Sequence, residues 1–181
     1  MKNIILGVTG SIAAYKAADI SNILTKHGHH VEVILTKSAG EFITPLTFQS
    51  LTKNRVYTNM FEEITPSEIK HISLAKKADL CLIAPATANI IGKLANGIAD
   101  DMLSTVVMAM SGVPVYICPA MNTNMYNNPI VQRNIQILSQ SGYSFIEPKE
   151  ALLACGDLGK GALADVEIII NKVEEHLKDR P

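Results

Sequence analysis

Short, nearly continuous apolar runs alternate along this chain with stretches whose apolar residues recur every three or four positions. Asn3-Ile4-Ile5-Leu6-Gly7-Val8 is the first such run, and its pattern is that of a strand covered on both faces. A helix is expected from about Ile12 to Lys26, stopping at Gly28. His30-Val31-Glu32-Val33-Ile34-Leu35 reads as a second strand. Ser38 to Leu51 reads as two short helical turns, with Thr44 as N-cap and Pro45 at the first helical position. Thr52 to Glu68 is polar and irregular, a loop with room for a short strand. Asp79-Leu80-Cys81-Leu82-Ile83-Ala84 is a third strand, ended by Pro85. Helical character runs from Thr87 to Asn96, breaks at Gly97 and resumes through Met110. Val113 to Cys118 is a fourth strand, with Pro114 near its start, where a missing N–H is tolerated. Pro129 opens a helix that ends near Gly142, and Tyr143 to Ile146 is a fifth strand. A Gly-rich loop from Pro148 to Gly161 precedes a last helix from Asp165 to Lys178.

Strands separated by helices imply parallel β-α-β units. The expected fold is a doubly wound α/β sheet flanked by helices, three-layered and flavodoxin-like or Rossmann-like, forming one domain over residues 1–181. Ligands of such sheets bind beyond the carboxyl ends of the strands, so the chemistry is sought there.

Composition narrows the function classes. The formal net charge is −1 and the apolar fraction 48%, so the chain buries a large core and lacks the basic surplus of a nucleic-acid binder. Tryptophan is absent and aromatics are 5%, a poor supply of stacking platforms for single strands. No apolar run approaches the ~20 residues of a membrane span, and the N-terminus does not read as a signal peptide. Three cysteines without a C-x-x-C pair argue against a disulfide framework or a thiolate zinc site, and point to a reducing cytoplasm.

At the strand ends, Gly7-Val8-Thr9-Gly10-Ser11-Ile12 allows a tight turn into a helix N-terminus, where free N–H groups and the dipole attract phosphate. It is neither G-x-G-x-x-G nor a Walker loop, so a mononucleotide suits it better than a dinucleotide, and a ligand-free turn is the plain alternative. Thr36-Lys37-Ser38 reads first as an N-cap and second as a phosphate contact. Ala84-Pro85-Ala86-Thr87-Ala88-Asn89 and Pro119-Ala120-Met121-Asn122 carry small residues against which a flat ring can lie. Asn122 adds a donor and an acceptor suited to a carboxylate or amide.

His27, His29 and His30 read as a solvated corner at the amino end of the second strand, and His176 as an exposed helix residue. His71 is a structural histidine or a general acid–base. Cys81 and Cys118 lie in strand interiors as small core residues. Cys155, in Ala154-Cys155-Gly156-Asp157, is a loop thiol available for proton transfer, or an incidental one.

Together these segments resemble the homo-oligomeric flavin-containing cysteine decarboxylases, and within them the branch acting on 4′-phosphopantothenoylcysteine. The resemblance runs from Gly7 to Asp165. It rests on the glycine turn, His71-Ile72, the Ala84–Asn89 turn with Gly92-Lys93, the Pro119-Ala120-Met121-Asn122-x-x-Met125 stretch and the cysteine loop. It implies FMN, held at a subunit interface of a trimer or a multiple of trimers. It assigns Gly10, Ser11, Ile12, Thr36, Lys37, Ser38, Thr87, Ala88, Asn89, Ile90 and Ala120 to the flavin. His71 would be the acid–base, Asn122 the ligand of the substrate carboxylate, and Leu152, Leu153 and Ala154 part of a flap whose Cys155 donates a proton. No metal is implied. Tyr126 stands where the family often has tryptophan, and Leu152 where relatives have a basic residue.

The implied chemistry has zero net redox change. Oxidation of the cysteine thiol creates a C=S electron sink β to the carboxylate, carbon dioxide leaves, and the enethiol is reduced again, giving 4′-phosphopantetheine for coenzyme A. A chain of this length is expected to take its substrate from a separate ligase protein. A peptidyl-cysteine oxidative decarboxylase would stop at the enethiol, which the cysteine loop argues against. A flavin prenyltransferase would not be expected to have the asparagine stretch, and a regulatory flavin-binding subunit depends on long acidic extensions. A flavodoxin-like electron carrier is usually far more acidic than this chain.

Overall fold

A computed structural model of the protein describes residues 1–61, 69–152, 156 and 158–178. Its central sheet is built from β1 (Asn3–Val8), β2 (His30–Leu35), β3 (Val56–Tyr57), β4 (Leu80–Ala86), β5 (Val115–Pro119) and β6 (Ser144–Phe145). The strands run parallel in the order β3-β2-β1-β4-β5-β6. The chain therefore winds outward in one direction from β1 and in the other from β4, which puts the topological switch point between these two strands.

Period-two alternation along the strands divides the apolar residues between two cores. Ile4, Leu6 and Val8 of β1, with Leu80, Leu82 and Ala84 of β4, pack beneath α1 (Ala14–Lys26), α2 (Pro45–Thr52) and α8 (Val166–Lys178). Ile5 of β1 and Cys81 and Ile83 of β4 face the opposite layer. That layer consists of α3 (Lys70–Lys77), α4 (Ala88–Ala95), α5 (Met102–Ala109) and α7 (Pro129–Gln140). Each fully buried Leu or Ile contributes about 1.5–3 kcal/mol, so the doubly covered strands supply much of the driving force.

Most expected elements are present, and the differences are local. The sheet has a sixth strand, β3, in the segment read as an irregular loop with room for a short strand. Helix α3 had no clear signal because its face buries only Leu74 and Ala75. Strand β4 continues through Pro85 to Ala86 at a register irregularity, where a missing N–H does not interrupt the ladder. The Gly-rich segment read as a loop forms an antiparallel pair, β7 (Lys149–Leu152) with β8 (Leu158–Ala162). A one-turn helix, α6 (Thr123–Tyr126), follows β5.

Cys81 and Cys118 are buried in the sheet, and burial pushes the Cys81 thiol up to about 12, so it stays protonated at neutral pH. The histidine corner is less solvated than expected. His27 Nδ1 and His29 Nε2 lie 2.7 and 3.1 Å from Glu174 Oε1, pinning the α1–β2 turn to α8, and the His29 side chain is only 10% exposed. His176 is half-buried, with Nδ1 3.1 Å from the Tyr116 hydroxyl. Met102, Leu103, Val106 and Val107, the apolar face of α5, are core residues under the sheet. Apolar side chains that do face outward include Ile12, Phe42 and Leu46, in the segments that follow β1 and β2.

Gly7 lies within β1 rather than in the turn after it, and its role is steric. A Cβ there would sit 2.5 Å from Leu103 Cδ1, so α5 rests directly on the β1 backbone. Gly7→Ala is expected to destabilise the protein by about 1–3 kcal/mol through overpacking. Urea denaturation should show a lower midpoint at unchanged slope. Leu103→Val in the same chain should recover part of the loss. Wild-type stability in Gly7→Ala alone would mean that α5 does not pack this closely.

Candidate active site

A row of hydrogen bonds ties together the carboxyl ends of the strands at the switch point. Thr9, at 2% exposure, donates through Oγ1 to the Pro85 carbonyl at 2.7 Å and accepts from the Thr87 amide at 3.0 Å. The Ala120 amide donates to Ala86 O, and the Met121 amide to Gly161 O, both at 2.9 Å. The ends of β1, β4, β5 and β8 are thereby aligned. Gly10 completes the arrangement, because a Cβ on it would lie 2.5 Å from Ser38 Cβ and so the loops after β1 and β2 touch.

Two cavities adjoin along this row. The larger, about 520 Å³, lies between the start of α1, the α6 turn and the hairpin. It is lined by Gly10, Ser11, Ile12, Thr87, Ala88, Ala120, Asn122 and Leu152 among the residues anticipated from sequence. The smaller, about 380 Å³, is lined by Thr36, Lys37, Ser38, Asn89 and Ile90, and shares Gly10, Thr87 and Ala88 with the first. Every described residue expected at the flavin or the substrate carboxylate therefore borders one of the two. His71 borders neither; it is the second residue of α3, which follows the edge strand β3. Leu153, Ala154 and Cys155 lie outside the described residues.

Sequence reasoning missed Tyr15, Lys16, Gly161 and Leu163 as lining residues, and did not single out Thr9 or Met121 within the motifs that contain them. Lys16 was within reach of helical periodicity, four positions after Ile12 on the same face. Thr9 and Gly161 carry no such signal, since their positions follow from strands that meet only in the folded sheet.

The walls divide by chemistry. Hydroxyls of Ser11, Thr36, Ser38 and Thr87 and the ammonium groups of Lys16 and Lys37 form a polar side. Ile12, Met121, Met125, Leu152 and Leu163 form an apolar one. The N-cap of α1, Ala13, has no capping side chain and no acid occupies the first turn; the Ala13 and Ala14 amides are taken by Ser11 Oγ and Ser11 O, so it is mainly the positive end of the helix dipole that favours an anion here. Lys93 contacts Asp100 at 2.6 Å and Asp101 at 2.7 Å. Burial alone would raise the Asp101 carboxyl, but the bonds from Lys93 and Ser104 outweigh it and hold the group below its ordinary range. Thr87 and Asn122 each cap a helix: Thr87 Oγ1 accepts from the Ile90 amide at 3.5 Å, and Asn122 Oδ1 from the Asn124 amide at 2.8 Å. A polar end for a phosphate beside an apolar slot for a ring fits a mononucleotide. Among the described residues no cluster of His, Cys, Asp and Glu is arranged to hold a metal ion.

Comparison with known proteins agrees with this geometry. A probable phosphopantothenoylcysteine decarboxylase of Streptococcus mutans is 55% identical over 177 residues, 97% of this chain and 99% of the relative. The coenzyme A biosynthesis bifunctional protein CoaBC of Bacillus subtilis is 53% identical over 178 residues, but the chain spans only 44% of that protein's length. Among solved structures, a PPC decarboxylase variant complexed with pantothenoylaminoethenethiol superposes with a TM-score of 0.88 at 30% identity, covering 98% of each chain. The FMN binding protein AtHal3 superposes at 0.87 and 30% identity, covering 99% of this chain and 98% of its own. The profile of the flavoprotein family matches residues 1–178, and the chain belongs to that family.

Proposed function

We propose that this flavoprotein decarboxylates 4′-phosphopantothenoylcysteine to 4′-phosphopantetheine with FMN as cofactor, as its relatives' names suggest. The observation that carries the reading is the convergence of all the described flavin and carboxylate candidates on two adjoining cavities at the switch point.

The residues present fit FMN. Ser11, Thr36, Ser38 and the uncapped start of α1 would hold its phosphate, and Ile12, Thr87, Ala88 and Ala120 its ring. When bound, FMN supplies reversible two-electron transfer, which makes decarboxylation possible without an external acceptor. The chain's own groups bind, orient and move protons. Asn122, its amide oriented by the bond from the Asn124 N–H, binds the substrate carboxylate. Leu152, Leu153 and Ala154 contact the rest of the substrate. Lys16 is the charged side chain lining the larger cavity among the described residues, and it suits the substrate phosphate. His71 accepts or donates the proton of the oxidative step, and Cys155 protonates carbon in the reductive one.

His71 lies outside both cavities of its own chain, which favours an oligomer in which it serves a neighbour's site. The outward-facing Ile12, Phe42 and Leu46 supply apolar surface for such contacts. The substrate would come from a ligase carried on another chain, in the cytoplasm. No described helix is long and apolar enough to cross a membrane.

The purified protein is expected to be yellow, to release FMN on denaturation and to convert synthetic substrate to a product lighter by one carbon dioxide in mass spectrometry. A protein that takes up no FMN and leaves the substrate intact would end the proposal. His71→Asn and Asn122→Asp should each lose turnover, the second because its carboxylate repels that of the substrate in a shielded pocket. Refolding the two variants together should restore part of the activity if His71 acts across a subunit boundary, and mixtures as inactive as either parent would refute that arrangement.

Cys155→Ser should still release carbon dioxide but accumulate the enethiol, two hydrogens lighter than the normal product, the two electrons remaining on bound flavin until dissolved oxygen removes them. A serine hydroxyl is far less acidic than a thiol of pKa near 8.5. Full product at the wild-type rate would remove Cys155 from the mechanism.

A further inference from the structure

The asparagine stretch closes on Tyr126, and no step above uses it. Tyr126 ends the single turn of α6 that begins beside Asn122, and its amide donates to the Asn122 carbonyl at 2.9 Å. The side chain is 6% exposed, yet its hydroxyl is satisfied by donation to Glu147 Oε2 at 2.8 Å. The same oxygen accepts from Lys160 Nζ at 2.7 Å, and this ammonium lies 5.5 Å from the centre of the tyrosine ring. Glu147 precedes β7 and Lys160 belongs to β8, so one phenol meets both arms of the hairpin. Gln132 Nε2 holds the Tyr126 carbonyl at 2.6 Å, anchoring the turn from the side of α7.

The opposite end of the same turn is fastened differently. Gly159 and Gly161 of β8 abut it so closely that a Cβ would fall 2.5 Å from Thr123 Oγ1 and 2.2 Å from Met121 O, respectively. The α6 turn and the hairpin are two walls of the larger cavity, contributing Met121, Asn122 and Met125 on one side and Leu152, Gly161 and Ala162 on the other. They are joined by backbone contact near Asn122 and by Tyr126, Glu147 and Lys160 four residues later.

We infer that Tyr126 is a positioning residue, whose hydroxyl, through Glu147 and Lys160, sets the spacing between the Asn122 turn and the β7–β8 hairpin and hence the fit of the substrate. Its catalytic consequence rests on the proposed decarboxylase reading, and its mechanical one on the contacts of Tyr126, Glu147 and Lys160 alone. Exposed ion pairs such as Lys160–Glu147 do little by themselves, with exposures of 47% and 59%. What makes this one effective is the buried phenol, which desolvates one side of the carboxylate. Lys160 first, then Tyr126, holds the Glu147 carboxyl below its ordinary range against burial, so it remains an acceptor at neutral pH. Phenylalanine would keep the ring and the cation above it but remove the donor. The flavin cradle at the ends of β1, β2 and β4 is untouched by these contacts.

The test compares wild type with Tyr126→Phe, Glu147→Gln and the double variant. Tyr126→Phe is expected to raise KM about ten-fold, with a smaller fall in kcat and unchanged FMN content. The share of product released as the lighter enethiol should rise several-fold, which mere loss of stability would not cause. The double variant should be little worse than either single. Independently of activity, hydrogen exchange at the Met121 amide, bonded to Gly161 O, should accelerate in Tyr126→Phe. Unchanged KM and product ratio, or effects that multiply in the double variant, would overturn the catalytic part. Unchanged Met121 protection would overturn the coupling. A wild-type protein that makes neither product would refute the decarboxylase reading instead, and the exchange experiment would still decide whether Tyr126 governs the hairpin.

Discussion

The buried hydroxyl of Thr9 is the constraint from which the site is built. It bridges two strands that are 76 residues apart in sequence, donating to Pro85 O while accepting from Thr87 N. Leaving either backbone group unpaired in the interior would cost about 1–3 kcal/mol, so the bridge holds β1 and β4 at one height. From there the bonds of Ala120 to Ala86 and of Met121 to Gly161 carry the alignment across β5 to the hairpin. A cavity forms here because a doubly wound sheet changes direction between β1 and β4, leaving a crevice that the flanking loops do not fill.

The close contacts around this crevice require the absence of side chains. Gly7 admits Leu103 from below, Gly10 admits the loop carrying Ser38, and Gly161 admits the Met121 carbonyl. Each contact fixes one wall relative to another: helix layer to sheet, loop to loop, and hairpin to asparagine turn. The polar groups on these walls are mostly hydroxyls and amides whose orientations are set by capping bonds, as with Thr87 and Asn122. A site held in this way is preorganised by backbone geometry rather than by long charged side chains, which suits chemistry in which the cofactor moves the electrons and the protein supplies position.

The hairpin shows how a segment without strand periodicity acquires structure. Alternate positions of β8 are Leu158, Lys160 and Ala162 on one side and Gly159 and Gly161 on the other. The glycine face is unreadable as a strand because its partner is another piece of backbone, not an apolar layer. Lys160 and Glu147 then link the hairpin to Tyr126 through a specific set of hydrogen bonds.

The sequence by itself determined the sheet and the edge along which its two cavities open. Strands buried on both faces need continuous apolar runs, so β1, β2 and β4 were visible to within a few residues, and their carboxyl ends pointed to Gly10, Thr36 and Thr87. The motif around Asn122 lies along the same edge, where Asn122 lines the larger cavity. Elements held by few apolar contacts were not legible: α3, which buries Leu74 and Ala75, and β3, a two-residue edge strand. Only the tertiary structure decided that Met102, Leu103, Val106 and Val107 are core, because an apolar helix face looks the same whether its own sheet or another subunit covers it. Only the tertiary structure separated His71 from the cavities and brought Thr9, Gly161 and Tyr126 into the arrangement. These roles depend on distances between residues far apart in the chain, and local periodicity holds no information about such distances.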